Sequence, residues 1–268
     1  MNEKNNEILR QDSFILTQNN SAAHQKNSIA GWNEDLQICF CTDGEGYIFI
    51  NGKGHQIKKG QFAVIPPQKI YCLEAESKMI YASLVIVQDF CKNIYIDSEK
   101  LKFPPVVSGP KLYSLFLSLI KTENDRVDFK EARQSLIVLE MINELLASFL
   151  LKRPPHIREG GSKNVKKVIL YISENFSKKI SLNDISEKLK INKFTLAREF
   201  KAMTNKTIFE YINIFRCLEA EKLIKNGLRI KEAAKNCGFN NFSYFTKTFK
   251  KIIGITPKEY RDRITNPF

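Results

Sequence analysis

Two short cationic clusters near the C-terminal end carry the clearest chemistry. "NKFTLAREFKAM" (192–203) holds Lys193, Arg198 and Lys201; "NFSYFTKTFKKI" (241–252) holds Lys247, Lys250 and Lys251. At helical spacing each segment divides into an apolar and a polar face. Leu196, Phe200 and Met203 face inward in the first, opposite Lys193, Phe194, Ala197, Arg198 and Lys201. Phe245, Phe249 and Ile252 face inward in the second, opposite Phe242, Ser243, Thr246 and Lys247. A guanidinium fork matches guanine O6 and N7, apolar groups suit thymine methyls, and ammonium groups suit phosphates. The expectation is base reading by Phe194, Ala197, Arg198, Phe242, Ser243, Thr246 and Lys247, with Lys193, Lys201, Lys250 and Lys251 on phosphates. An ordinary solvated surface is the competing reading for any single lysine. RNA binding by stacked aromatics competes for the whole stretch, but the spacing of Phe245 and Phe249 makes them core.

Such helices need a frame, and the sequence supplies the same one twice. Residues 192–211 align with 241–260 at an offset of 49, pairing Asn192 with Asn241, Phe200 with Phe249 and Tyr211 with Tyr260. Upstream, "SLNDISEKLKI" (181–191) pairs with "RIKEAAKNCGF" (229–239) at an offset of 48. Ser181, Asn192 and Asn241 are preferred N-caps, Thr207/Glu210 and Thr256/Glu259 form capping-box patterns, and Pro257 suits a first helical position. Gly238 falls where a left-handed helix end is needed. Each copy therefore predicts a helix, a tight turn and a second helix. "TIFEYINIFRCLEAEKLIKN" (207–226) reads as one long connecting helix, ~30 Å at ~1.5 Å per residue. Successive major-groove turns lie ~34 Å apart, so such a helix suits two reading helices on one DNA face.

Charge follows the same division. Residues 1–151 carry 16 Lys and Arg against 18 Asp and Glu; residues 152–268 carry 26 against 11. A basic half beside a near-neutral half predicts a polyanion-binding module joined to something else. The six cysteines form no CxxC pair, and only His24, His55 and His156 are present, with no HxH. The ligand set for a catalytic metal is lacking, so no enzyme activity, cofactor or metal is expected. His55, in a Lys-flanked hairpin, reads as an exposed turn residue. The N-terminus has no apolar h-region and no run approaches a membrane span, which predicts a cytoplasmic chain with reduced thiols and no membrane partner.

Residues 36–87 read as short strands ("LQICFC", "GYIFI", "HQIK", "QFAVI", "IYCLE", "MIYASLVIV") punctuated by turns such as "TDGEG", the pattern of a small barrel or sandwich. Segments 109–122 and 130–152 read as helices. The second carries two apolar stripes, one of Val138, Ile142, Leu145 and Phe149, the other including Leu139 and Leu146. So wide an apolar face predicts a dimer seam there. "KRPPHIREGGSK" (152–163) reads as a linker.

Phe200, Lys201, Tyr211, Ala220, Gly238, Phe239, Ser243, Tyr244, Phe245, Phe249, Lys250, Gly254, Pro257, Tyr260 and Arg261, at these spacings, resemble the AraC/XylS transcription-regulator signature over roughly 164–263. The resemblance implies an α+β multidomain chain: a cupin-like β-barrel sensor (1–108), dimerisation helices (109–152), a linker (153–163) and an all-α domain with two helix-turn-helix motifs joined by a long helix (164–268). It also implies a sequence-specific regulator, by family frequency an activator working with RNA polymerase. The expected partners are double-stranded DNA, a twin subunit and a small-molecule or protein effector. A regulator governed by a protein partner or its own abundance is the alternative. Asn205 stands where the family usually has Gly, Lys247 replaces a usual Arg, and Ala197 occupies a position often polar.

Overall fold

The computed structural model describes residues 9–10, 14–19, 30–32, 34–124, 128–151 and 162–265. Its N-terminal half is a curled antiparallel sheet. The strands are β1 (Leu9–Arg10), β2 (Phe14–Asn19), β3 (Leu36–Ile50), β4 (Lys53–Lys58), β5 (Phe62–Ile65), β6 (Tyr71–Ile86) and β7 (Val106–Val107), in the order β1-β2-β6-β3-β5-β7 with β4 also on β3. Two strands are longer than the sequence pattern predicts. "TDGEG" is no turn: β3 runs through it, and the ladder with β6 absorbs it as register shifts at Cys41/Asp43 and Gly44/Gly46. Such bulges sharpen the twist, which lets a 15-residue strand curl around a core.

Strand alternation makes two cores. Cys39, Cys41, Ile48, Ile57, Ala63, Ile65 and Leu73 fill the interior of the curl. Ile38, Phe40, Val64 and Leu84 point the other way, under α2 (Pro110–Asn124) and α3 (Lys130–Phe149). A short α1 (Gln88–Asn93) precedes them. His55 is not in a turn. It pairs with Ile48 in β4, half-buried, and burial lowers its pKa.

The dimer-seam expectation is corrected at its centre. Val138, Ile142 and Leu145 are fully buried in the chain's own core, and Leu146 and Phe149 pack against it. The sheet's outer face is as apolar as the helix, so it takes that stripe for itself. Leu139 is half-buried, Leu136 (61% exposed) lies on the other side of α3, and Leu150 (42%) follows its last turn.

The C-terminal half is helical: α4 (Ser162–Asn175), α5 (Leu182–Leu189), α6 (Lys193–Thr204), α7 (Ile208–Lys225), α8 (Ile230–Asn236), α9 (Phe242–Ile253) and α10 (Pro257–Thr265). Residues 152–161 of the expected linker lie outside the described residues, as do His24 and His156; Ser162 and Lys163 already belong to α4. The capping signals act as read. Ser181 with Asp184 and Thr207 with Glu210 form complete capping boxes, and Asn192 and Asn241 accept backbone N–H groups of α6 and α9. Asn205 ends α6 at φ 58°, the left-handed conformation its family position demands.

Helix α7 is buried on several sides: Tyr211, Ile212, Asn213, Ile214, Cys217, Ala220 and Ile224 are all covered. Two lobes share it. The first packs Val165, Val168, Ile172, Ile185, Leu196 and Phe200 on its N-terminal part; the second packs Ala233, Cys237, Phe245, Phe249 and Ile252 on its C-terminal part.

Candidate nucleic-acid interface

The described structure holds the expected side chains where helical spacing puts them. On α6, Leu196 and Phe200 are fully buried and edge-on packing of Phe200 against Tyr211 (centroids 5.2 Å apart) fixes the helix on α7. Arg198 and Lys201 are exposed on the opposite face, and Ala197 and Lys193 are half-buried. Phe194 is 74% exposed, and the Lys193 ammonium lies 5.5 Å from its ring centroid. Lys193 Nζ also donates to Asn183 Oδ1 at 3.4 Å, which tethers this cation to α5.

On α9, Phe245, Phe249 and Ile252 are buried in series, with Phe245 and Phe249 5.4 Å apart. Phe242 (43% exposed), Ser243, Lys247, Lys250 and Lys251 are exposed, and Thr246 is half-buried. The Thr246 hydroxyl donates to the Phe242 carbonyl at 3.0 Å, so its free capacity is as an acceptor. The Lys231 ammonium of α8 lies 5.9 Å from the Phe242 ring. Each face thus offers one exposed phenyl ring beside a lysine, a row of cations, and a capped helix start where the backbone N–H groups favour an anion.

The turns between paired helices are tight for different reasons. Lys190 ends α5 in the left-handed region at φ 55°. Gly238 follows α8 at φ 80°, and a Cβ there would also lie 2.8 Å from the carbonyl oxygens of both Phe176 and Ser177. Glycine is required twice at this position, once by backbone angle and once by the chain that crosses it.

A joint to the N-terminal half has no counterpart in the sequence reading. The Tyr211 hydroxyl donates to the Ala30 carbonyl at 2.7 Å with both residues buried. Lys206 Nζ lies 2.6 Å from Glu74 Oε1, their side chains only 13% and 21% exposed. The Lys166 ammonium sits 5.0 Å over the Trp32 ring. Gly52, at φ 80°, presses on the end of α6 so closely that a Cβ would fall 1.9 Å from the Ala202 carbonyl oxygen. Strand β6 shows how the joint reaches the sheet interior. Tyr71 and Leu73 face inside, while Cys72, with Ile70 just before the strand, packs with the first lobe.

Comparison with known proteins assigns both halves. Residues 22–139 match the AraC-like ligand binding domain, and residues 185–263 match the helix-turn-helix domain family. The chain belongs to the AraC/XylS family. This AraC/XylS-family protein is 27% identical over 242 residues to the Msm operon regulatory protein of Streptococcus mutans, covering 87% of this chain and 86% of that one. It is 21% identical over 272 residues to the HTH-type transcriptional activator RhaR of an Enterobacter species, covering 96% of each. Its fold resembles that of ToxT from Vibrio cholerae in the apo state, with a TM-score of 0.55, 16% identity, and 94% and 98% of the two chains covered. The protein is a DNA-binding transcriptional regulator. No described helix is long and apolar enough to cross a membrane.

Proposed function

We propose that α6 and α9 enter two adjacent major grooves on one face of the DNA, held apart by α7. The observation that carries this is the doubled arrangement: two capped helices, each with a buried aromatic side and an exposed cationic side, on one shared helix. Arg198 is the leading base contact, with Phe194, Ala197, Phe242, Ser243, Thr246 and Lys247 as the other readers. Lys193, Lys201, Lys250 and Lys251 hold phosphates. Arg198→Ala is expected to weaken specific binding by ~1–3 kcal/mol and relax preference at one base pair, whereas Lys201→Ala weakens all sequences alike and flattens the salt dependence. Selection from random duplexes with each variant tests this; an unchanged base profile for Arg198→Ala removes that assignment.

The N-terminal half receives the signal. A ToxT structure is described as bound to an unsaturated fatty acid, and a small-molecule effector in the sheet interior is the corresponding reading here. Gln37 Nε2 donates to Ser83 Oγ at 2.6 Å in that interior, and burial pushes the neighbouring Cys39 thiol up to about 11. The polar groups there are uncharged at neutral pH, which favours an uncharged or largely apolar effector. Relatives named as transcriptional activators support activation as the outcome, with RNA polymerase as the proposed partner. A homodimer forms, on this reading, through the outer side of α3, where Leu136, Leu139 and Leu150 remain available, and no longer through Val138, Ile142 and Leu145.

A further inference from the structure

One turn of α7 ties the two lobes together. Arg216 donates from Nε to the Phe176 carbonyl and from Nη2 to the Lys178 carbonyl, both at 2.7 Å. These carbonyls lie just past the end of α4, where helical backbone runs out of internal donors. One turn earlier on α7, Asn213 Nδ2 donates to the Tyr244 hydroxyl of α9 at 3.0 Å. Asn213 is buried and Arg216 half-buried. The guanidinium also lies 5.8 Å from the Phe239 ring, beside Gly238, where a Cβ would fall 2.8 Å from the carbonyl oxygens of Phe176 and Ser177 and 3.0 Å from Arg216 Nη2. Phe176 packs against the cores of both lobes. The end of α4 is therefore wedged between α7 and the turn of the second helix pair, and Arg216 pins it there.

We propose that Asn213 and Arg216 are positioning residues that set the separation and rotation of α9 relative to α6, and hence the half-site spacing the protein accepts. This rests on the two-groove reading above. Neither residue faces DNA in that reading; both act through what they hold. A guanidinium suits the task because its planar fork fixes two acceptors at once, whereas an ammonium fixes neither direction. Inserting one base pair between two half-sites moves one by about 3.4 Å and rotates it by about 34°. A rigid pair of heads rejects that change and a loosened pair tolerates it.

The test uses the full-length protein on duplexes selected by the wild type, with one or two base pairs inserted or removed between the half-sites. Wild type is expected to lose about tenfold or more per altered base pair. Arg216→Ala is expected to cut that penalty to about threefold or less, with binding at the native spacing reduced less than the penalty falls. Arg216→Lys should lie between the two. Tyr244→Phe removes one hydroxyl at an edge position and serves if Arg216→Ala does not fold; it should broaden the profile in the same direction. An unchanged spacing profile in the folded variants, or uniform loss at every spacing, overturns the proposal. A wild type indifferent to spacing overturns the two-groove reading itself.

Discussion

The two helix pairs are copies in sequence and unequal in setting. Both present a capped helix with exposed cations and a buried apolar side, Leu196 and Phe200 in the first and Phe245 and Phe249 in the second. The first, however, shares its core with Ala30, Ile70 and Cys72 of the N-terminal half, while the core of the second draws only on α7 to α10 and Phe176 among the described residues. A repeat fixes which residues make a helix pair; it does not fix what that pair leans on. Here one lobe leans on the sheet, and the other is carried by α7.

The largest way to break this asymmetry is at Gly52. With φ at 80° and the Ala202 carbonyl in the space of a Cβ, Gly52→Ala pays for both backbone strain and a clash with backbone that cannot rotate away. The expected outcome is an unseated joint. Amide exchange should rise in 202–207 and 70–74 while 245–252 stays protected, and equal loosening of both lobes would contradict it.

The reading faces give the next comparison. Arg198 offers a bidentate fork, and Lys247 occupies the matching place in the second copy as a point charge. Arg198→Ala should cost ~1–3 kcal/mol of specific binding, and Lys247→Ala less, with a smaller loosening of the preference at its own base pair. Lys247→Arg should sharpen the second half-site. Base-by-base selection profiles separate these outcomes, and equal effects at both positions would show that charge alone is read.

Smaller still is the ion pair of the joint. Glu74→Gln keeps the shape and removes one charge from a largely covered pair, which should weaken the docking of the first lobe by about 1–2 kcal/mol. Protease sensitivity of residues between the two halves should rise, with the second lobe's melting unaffected.

How much of this was legible varies with how local the cause is. The caps and the inward phenylalanines were readable because each depends on a few neighbouring residues, and the left-handed turn at Asn205 was readable through the family resemblance, which places Gly there. The extent of β3 was not: "TDGEG" has turn composition, and only pairing with β6 turns it into bulged strand. The α3 stripe misled because an apolar face states that it must be covered and not by what; the chain's own sheet reached Val138, Ile142 and Leu145 first. The joint was invisible for a similar reason. Glu74 and Lys206 are 132 positions apart, and neither stands in a local pattern that marks it as paired. Arg216 and Asn213 sat inside a helix reading whose periodicity was all that sequence could supply.

The smallest difference is expected at the caps, and it asks whether the joint stiffens its own lobe. Thr207 and Glu210 close the start of α7, and Thr256 and Glu259 close the start of α10 with the same bond pattern. Backbone N–H groups hold both carboxyls below their usual range, Glu210 and Glu259 alike. A depressed carboxyl adds stability above its unfolded pKa and loses it as pH falls through the folded value. Thr207→Ala and Thr256→Ala should each cost about 1 kcal/mol near neutral pH, with the cost shrinking as the pH drops below the ordinary carboxylate range. If Glu74 and Ala30 brace the start of α7 through Lys206 and Tyr211, the Thr207 variant keeps its helix start ordered by amide exchange. The Thr256 variant, at a helix start the joint does not reach, frays. Equal fraying at both starts would mean that the joint positions the first lobe without stiffening it.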